Sequence, residues 1–115
     1  MIRKPSEMRN EVRENMRGAT GSITIQHYFE KGEFGAKVRL CSHIIIPPGA
    51  GIGAHQHATE DEVFIVQKGT GILDDGQTQT RISPGDAILT GNGESHAVQN
   101  DGDEDLEMTA MIICY

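Results

Sequence analysis

Short segments with the composition of β-strands follow one another along most of the chain. Each is enriched in β-branched or apolar residues and is closed by Gly, Pro, Asn or Asp. Many short strands at regular spacing are typical of a sandwich or barrel, whereas strands alternating with helices would indicate βαβ units. The sequence therefore predicts an all-β fold. The predicted strands are residues 22–29, 36–46, 62–67, 71–73, 77–82, 87–90, 97–99 and 106–115.

The chain is long enough for one domain with its own core, because it has 115 residues. Residues 1–35 are predicted to form an N-terminal arm and a first strand, packed on the barrel or on a dimer partner. Residues 36–115 are predicted to form the barrel. Residues 5–17 are polar, and the pattern there fits either a short helix or an extended arm. Asp74-Asp75-Gly76 predicts a hairpin turn, since Asp and Gly tolerate positive φ.

Charge and composition exclude several classes of partner. The net charge of -7 predicts no binding to nucleic acid or to an anionic membrane surface, because phosphate would be repelled. The sequence has no run of eighteen apolar residues, so no membrane span is predicted, and the N-terminus lacks the apolar core of a signal peptide. Two cysteines, Cys41 and Cys114, do not make a disulfide framework. A cytoplasmic location is the expectation.

Histidines and a glutamate stand at two separate places in the chain. His55 and His57 share one face of an extended segment, because successive side chains of a strand point to opposite sides. Glu62 follows five residues later, and His96 lies in the second place. Neutral imidazoles with one carboxylate are ligands that divalent transition metals accept. If the barrel brings the two places together, these four residues form a metal site.

Glycine spacing around these residues adds a family resemblance. The pattern G-x5-H-x-H-x4-E-x6-G is filled at every fixed position, and the pattern G-x5-P-x-G-x2-H-x3-N is filled at all but one. In this respect the chain resembles the cupin superfamily, and the Pro position of the second motif holds Gly91. The matching residues are Gly49, His55, His57, Glu62 and Gly69 in the first motif, and Gly85, Gly93, His96 and Asn100 in the second.

The resemblance implies a double-stranded β-helix, or jelly-roll barrel, that holds one divalent transition metal. Carried over by position, the ligands are His55, His57, Glu62 and His96. The donor set does not identify the metal, because Mn, Fe, Ni, Cu and Zn all accept it. Asn100 or backbone carbonyls are expected to orient the outer imidazole N–H groups.

Other titratable residues near the motifs have alternative interpretations. Glu62 begins the apolar alternation of its strand, whereas Glu60 and Asp61 are expected to be solvated charges of the preceding turn. His27 and His43 lie outside both motifs and are expected to be hydrogen-bonded residues of the sheet.

A polar face along one predicted strand provides candidate catalytic residues. Arg39, Cys41 and His43 share one face of the strand, and Val38, Leu40, Ser42 and Ile44 share the other. If this face lines the barrel, Arg39 is a candidate to bind a substrate carboxylate, and His43 is a candidate proton shuttle. If it faces outward, the three residues belong to the surface or to a dimer interface. The sequence leaves the facing open, and Cys41 has no evident base partner.

Small cupins catalyse several reactions, so the fold alone does not assign one. The chain looks most like small single-domain microbial cupins of the oxalate-decarboxylase-like group. This predicts a metal-dependent dioxygenase or decarboxylase acting on a small oxo- or hydroxy-carboxylate. A non-catalytic ligand-binding or sensing module and a sugar-phosphate isomerase are the alternatives. A homodimer is expected, because residues 1–30 and 108–115 are suited to cover the sheet edges and the apolar outer face.

Overall fold

The computed structural model describes residues 1–115 and contains ten antiparallel β-strands. The only helical segments are 3-10 turns at Pro5–Glu7, Met16–Gly18 and Lys31–Glu33. The all-β prediction is confirmed. The strands are β1 Arg9–Glu14, β2 Ser22–His27, β3 Val38–Ile46, β4 Gly51–Gln56, β5 Glu60–Lys68, β6 Gly71–Asp74, β7 Gln79–Ile82, β8 Ala87–Thr90, β9 Ser95–Gln99 and β10 Leu106–Cys114.

Two sheets face each other and form the jelly roll. The six-stranded sheet has the order β1-β2-β3-β10-β5-β8, and the four-stranded sheet has the order β4-β9-β6-β7. Strands β6 and β7 form the predicted hairpin, in which Asp74 pairs with Gln79 and Gly76 has a φ of 91°. Strand β4 belongs to one sheet and β5 to the other, so the chain crosses between sheets within the first histidine motif.

Apolar side chains from both sheets fill the space between them. The longest strands alternate buried and partly exposed residues, as expected when one face is packed on a core. Thirteen buried residues form one continuous cluster, so the chain has a single core. They are Ile23, Ile25, Ile44, Ile46, Ala50, Ile52, Phe64, Val66, Ile82, Val98, Leu106, Met108 and Ala110.

The N-terminal segment adds a strand to the six-stranded sheet. Between residues 5 and 17 the chain is extended rather than α-helical, and β1 pairs with β2 in register from Arg9–His27 to Glu14–Ser22. β2 in turn pairs with β3, and its Ile23 and Ile25 belong to the core cluster. The first residues therefore extend the six-stranded sheet, and β1 forms one of its edges.

Most of the predicted strands are present with ends shifted by one or two residues. Two differences from the sequence prediction bear on the first histidine motif. Strand β4, Gly51–Gln56, is absent from the predicted strands because glycines at 51 and 53 weaken its β signature. Strand β5 begins at Glu60, so the placement of Glu60 and Asp61 in a preceding turn is wrong. No helix in the structure has the length and apolarity needed to cross a membrane.

Candidate metal centre

Four side chains from three strands and one connecting loop converge inside the barrel. His55 comes from β4, Glu62 from β5 and His96 from β9, while His57 follows β4 by one residue. His96 Nε2 lies 3.1 Å from both other Nε2 atoms. Glu62 Oε1 lies 3.0 Å from His57 Nε2, 2.9 Å from His96 Nε2 and 4.0 Å from His55 Nε2. The predicted convergence of the two parts of the chain is present, and the four residues form a group able to hold a metal ion.

Backbone pairing explains why the two motifs meet. β4 and β9 are antiparallel neighbours, and His55 stands opposite His96 in their register. The register shifts between Ile52 and His55, where β4 has one more residue than β9. Such a bulge redirects the following side chains, so His55 turns toward the interior. His57 is held after the strand by a hydrogen bond from its N–H to the carbonyl of Glu94.

The outer nitrogen of two imidazoles is held by an acceptor. His55 Nδ1 donates to the carbonyl oxygen of Gly53 over 2.7 Å, and His57 Nδ1 donates to Glu60 Oε1 over 2.9 Å. A carbonyl and an ionised carboxylate only accept hydrogen bonds, so the proton of each neutral ring is on Nδ1. The lone pairs of both Nε2 atoms therefore point into the cluster.

The third imidazole is held by a hydroxyl group and by a ring. His96 Nδ1 lies 2.9 Å from Thr90 Oγ1, and the hydrogen bond is buried. Phe64 stacks on the His96 ring with centroids 5.0 Å apart and an interplanar angle of 6°. This packing fixes the ring orientation and leaves Nε2 directed at the other donors.

Asn100 does not have the orienting role predicted for it. The side chain is fully buried, but its Nδ2 donates to the carbonyl oxygens of Ile46 and Glu104. Asn100 therefore secures the turn before β10 and contacts no histidine of the cluster. The alternative prediction, a backbone carbonyl, is correct for His55 alone, and a carboxylate and a hydroxyl serve the other two rings.

The donor atoms of the cluster fit a divalent ion. Two imidazole lone pairs and an anionic oxygen face each other at short range, and without a cation between them they repel. An ion with bonds of about 2.1 Å has neighbouring octahedral ligands about 3.0 Å apart and opposite ones about 4.2 Å apart. Three contacts at 2.9–3.1 Å around His96 and one at 4.0 Å follow this pattern. The set is therefore suited in chemistry and spacing to a transition metal.

The cluster is nearly closed to solvent. His57 and His96 are each 2% exposed and Glu62 is 5% exposed. Burial alone would raise the pKa of Glu62, but its contacts with the histidines outweigh burial and hold that pKa below its ordinary value. Glu62 also raises the pKa of His55. A buried carboxylate that stays ionised is the form needed to bind a cation.

Glu60 joins the cluster to an arginine outside it. Besides accepting from His57, its carboxylate receives a bidentate pair from Arg39, with Nη2–Oε1 at 2.6 Å and Nε–Oε2 at 2.9 Å. Arg39 is the main cause that lowers the pKa of Glu60 to about 2. Glu60 is therefore an ionised acceptor behind His57, and its description as a solvated charge is wrong.

The structure separates the two candidate catalytic residues of β3. The register between β3 and β10 shifts opposite Arg39, because Ile112 pairs with Leu40 while the next residue, Ile113, pairs with Val38. Arg39 is the extra residue of this bulge, and its side chain lines the pocket that leads to the cluster.

His43 does not line that pocket. It stacks on Tyr28 with centroids 6.2 Å apart, and its Nδ1 lies 3.4 Å from Gln26 Oε1. Its Nε2 lies 2.8 Å from Glu107 Oε1 but is not aligned for a hydrogen bond. The predicted proton-shuttle role of His43 therefore has no geometric support. His27 is hydrogen-bonded by Ser42 and Glu11, as expected for a residue of the sheet.

A small cavity connects the cluster with solvent, and the N-terminal arm closes part of its mouth. Its volume is about 80 Å³, and Leu40, Ile44, Phe64 and Ile112 provide apolar walls. Arg13 and Arg17 also line it, together with Arg39. Sequence analysis missed the first two arginines, because no local pattern predicts that residues 13–17 return to the opening of the barrel.

Comparison with known proteins assigns the chain to one family. Residues 42–113 match the family described as "Cupin domain". The chain is 36% identical over 113 residues to a protein from Thermotoga maritima named "Oxalate-binding protein", and the match covers 98% of this chain and 93% of that protein.

Solved structures agree in fold. A crystal structure from Thermotoga maritima, described as "a predicted oxalate decarboxylase", aligns with a TM-score of 0.94 and 36% identity over 100% of both chains. A "cupin-like protein" from Thermotoga maritima aligns with a TM-score of 0.72 and 19% identity, over 80% of this chain and 68% of that one. The second likeness concerns the fold alone.

Proposed function

This chain belongs to the cupin family, and we propose that it binds one divalent transition metal and acts on a small oxygenated carboxylate. His55, His57, Glu62 and His96 are the proposed ligands of an ion chosen from Mn, Fe, Ni, Cu and Zn. One observation carries the proposal: imidazole nitrogens with inward lone pairs meet an ionised, buried carboxylate at ligand spacing. The family membership supports it, as do the names given to the similar protein and the similar crystal structure from Thermotoga maritima.

Residues around the ligands prepare them before any ion arrives. Gly53 and Glu60 hold the protons of His55 and His57 on Nδ1, so neither of these two imidazoles has to change tautomer on binding. Phe64 keeps the His96 ring in place and excludes water from one side of the cluster. The bound ion would supply Lewis acidity or oxygen activation and would leave two positions for a chelating ligand.

The size of the cavity supports a small ligand. Its volume of about 80 Å³ is roughly half that of a cavity of about 150 Å³ that holds benzene. A carboxylate of two to four carbons is the class that fits, and an oxo- or hydroxy-carboxylate offers two oxygens for chelation. Arginines at the mouth add positive charge to a protein whose net charge is negative.

Metal analysis tests the first part of the proposal. Protein purified without chelator and without nickel resin is expected to contain close to one transition metal ion per chain, measured by elemental analysis. The Glu62→Gln variant, purified identically, is expected to contain little. Wild-type protein that stays metal-free after incubation with Mn(II), Fe(II) and Zn(II) would contradict the proposal.

Two functions share this site, and turnover separates them. An oxygen-dependent or decarboxylating enzyme, loaded with Fe(II) or Mn(II), is expected to consume dissolved oxygen or release carbon dioxide when oxalate or a related acid is added. A non-catalytic binding module, the second candidate, would bind oxalate in calorimetry with no such change. The relative from Thermotoga maritima is named "Oxalate-binding protein", which supports the binding module as a second candidate.

Sugar-phosphate isomerisation is the weakest of the predicted activities. A sugar phosphate is larger than the cavity of about 80 Å³. The sequence offers four cations outside the N-terminal arm to a phosphate, namely Arg39, Lys37, Lys68 and Arg81. Only Arg39 lines the cavity, and Glu60 already pairs with it. An isomerase would work without oxygen, so anaerobic conversion of a sugar phosphate would overturn this ranking.

Arg39 remains a predicted contact for the ligand carboxylate. It lines the cavity, but its guanidinium already binds Glu60 through two hydrogen bonds. Binding a ligand directly would therefore require Arg39 to exchange one of these bonds. An Arg39→Ala variant that keeps metal and fold but loses carboxylate binding would support the role, and unchanged binding would contradict it.

We also propose that the protein is a cytoplasmic homodimer. β1 is a sheet edge, and exposed apolar residues lie on the N-terminal arm and on the C-terminal strand. Examples are Ile2, Val12 and Ile113. Both cysteines are free, which is typical of a reducing compartment. A monomer in light scattering at micromolar concentration would contradict the dimer, and cell fractionation tests the location.

A further inference from the structure

Three arginines line the cavity, namely Arg13, Arg17 and Arg39, and their guanidinium groups differ in their partners. Arg13 Nε donates to Glu11 Oε2 over 2.8 Å, and Arg39 binds Glu60 through two hydrogen bonds. The side chain of Arg17 makes no hydrogen bond and no ion pair within the chain, and it lines the same cavity. Two of the three positive charges at the mouth are therefore neutralised, and the third is free.

The backbone that carries Arg17 has an unusual conformation. Asn15 and Arg17 have φ values of 50° and 55°, and Gly18 has a φ of 85°. Left-handed conformations at residues other than Gly cost about 1 kcal/mol or more, so the surrounding contacts must impose them. Hydrogen bonds do so here: Asn15 N–H donates to Gly21 O, and Asn15 Nδ2 donates to Ala19 O. The conformation of the loop that carries Arg17 is thus held by hydrogen bonds within the chain.

Gly53 fixes where this loop lies. A Cβ atom on Gly53 would overlap the carbonyl group of Arg17, so only glycine allows the loop to rest on β4. The carbonyl of the same Gly53 accepts the hydrogen bond from His55. One residue therefore joins the loop that carries Arg17 to His55, a proposed metal ligand.

Taken with the proposed function, on which it rests, the geometry points to Arg17 as the residue that binds the second negative charge of the ligand. The ligand class is a small dianion, such as a dicarboxylate that chelates the ion and turns its remaining oxygens to the mouth. A guanidinium without an internal partner is available for this contact, and its hydrogen bonds to a carboxylate are strengthened by charge.

The charge balance of the site favours the same class of ligand, a small dianion. A divalent ion together with Glu62 leaves one positive charge, and the Glu60–Arg39 pair adds none. Arg17 adds a second positive charge, so a dianion neutralises the occupied site and a monoanion does not. Charges inside a small, mostly apolar cavity interact more strongly than in water. Arg17 is therefore a specificity-determining residue rather than a metal ligand.

Two ligands of one shape test this inference. Oxalate and oxamate are both two-carbon chelators, but oxalate is a dianion and oxamate is a monoanion. Calorimetry with Mn(II)-loaded protein is expected to show preferential binding of oxalate to wild type. In Arg17→Gln the affinity for oxalate should fall about tenfold, the size of one charge-assisted contact. The affinity for oxamate should change less, so the ratio of the oxalate affinity to the oxamate affinity becomes smaller.

Controls separate Arg17 from the general charge of the mouth. Arg13→Gln removes an arginine of the same mouth that Glu11 already neutralises, and its oxalate affinity is expected to stay within about twofold of wild type. Arg17→Lys keeps the charge but loses the planar pair of donors, and an intermediate affinity is expected. Mn(II) affinity, measured separately, should be equal in wild type and all three variants.

Each contrary result has a distinct meaning. If Arg17→Gln binds oxalate as wild type does, or if Arg13→Gln loses as much affinity, the assignment to Arg17 is overturned while the metal site stands. If Mn(II)-loaded wild type binds neither ligand, the inference fails together with the proposed substrate class. If wild type binds no Mn(II), Fe(II) or Zn(II), the proposed metal site itself fails.

Discussion

The inner cluster and the mouth of the cavity are built in different ways. The cluster lies on strands in the middle of the barrel, is almost fully buried and consists of residues with defined partners on both sides. The mouth is formed largely by exposed residues of the N-terminal arm and by an arginine on a bulge. In the proposed function, cation binding thus belongs to the strands of the barrel, and discrimination among ligands belongs to the exposed residues of the mouth.

This difference leads to a specific expectation about variants. Changes within the cluster should alter metal affinity and leave the arm in place, whereas changes at the mouth should alter anion affinity or arm stability and leave metal affinity unchanged. Rigid elements position ligands more reliably than loops, which is the physical reason for the division. The following variants test it, starting with the largest effect.

Loss of the carboxylate ligand should have the largest effect. Glu62→Gln keeps the shape of the side chain but removes the negative charge among the three imidazoles. Metal affinity is expected to fall by more than about 100-fold, since the change removes a direct ligand. Competition with a chromophoric chelator measures it, and the thermal unfolding of metal-free protein serves as the control for the fold. Affinity close to wild type would show that Glu62 is not a ligand.

Loss of the acid behind His57 should have the second largest effect. Glu60→Gln weakens the acceptor that holds the proton of His57 on Nδ1, and metal affinity is expected to fall about 10- to 100-fold. The neighbouring Asp61→Asn is a matched control, because Asp61 accepts a hydrogen bond from Tyr115 and contacts no ligand. Equal effects of the two substitutions would mean that only general negative charge matters.

Restoring the proline of the second motif should destabilise this particular chain. A Cβ at Gly91 would overlap the Asp61 carboxylate, and proline would also remove the N–H that lies 3.3 Å from Glu94 Oε1. Gly91→Pro is expected to lower the free energy of unfolding by about 1–3 kcal/mol, measured by urea denaturation of metal-free protein. Adding Asp61→Ala should recover part of this loss. Full stability of Gly91→Pro would contradict the packing described.

The smallest effect concerns the arm and depends on pH. Hydrogen bonds from Arg13 and His27 lower the pKa of Glu11 to about 2 from an ordinary value of 4.5. Because the folded-state pKa is depressed, its contribution to stability is present above about pH 4.5 and is lost as the pH falls toward 2. Glu11→Gln should lower the free energy of unfolding at pH 7 by roughly 1 kcal/mol, given partial exposure. A difference from wild type that persists at pH 2 would contradict this explanation.

Much of the inner region could be predicted from the sequence. Strands with alternating apolar residues, such as β3 and β10, have a strong local signature. The four proposed ligands follow from strand alternation together with a resemblance in spacing. The sequence prediction placed Glu60 in a turn because Glu60, Asp61 and Glu62 are consecutive acids and the apolar residues of the strand begin only at Val63. Its role depends on His57 and Arg39, which become its neighbours only after folding.

The mouth could not be predicted for a related reason. β1 carries charged residues on both faces, so no alternation distinguishes a strand from a helix there. Arg17 depends on left-handed residues and on a glycine that is 36 positions away at Gly53. Neither the bulge that redirects Arg39 nor the outward facing of His43 has a local sequence signal. These properties arise from tertiary packing and appear only when the strands are assembled.

Gly53 ties the position of one charge at the mouth to the shape of β4. Because a methyl group at position 53 would overlap the carbonyl group of Arg17, the loop at residues 15–19 would have to take another path, while β1 stays paired with β2 and the barrel keeps its core. The place of a charged side chain is thus set by the absence of a side chain on another segment of the chain.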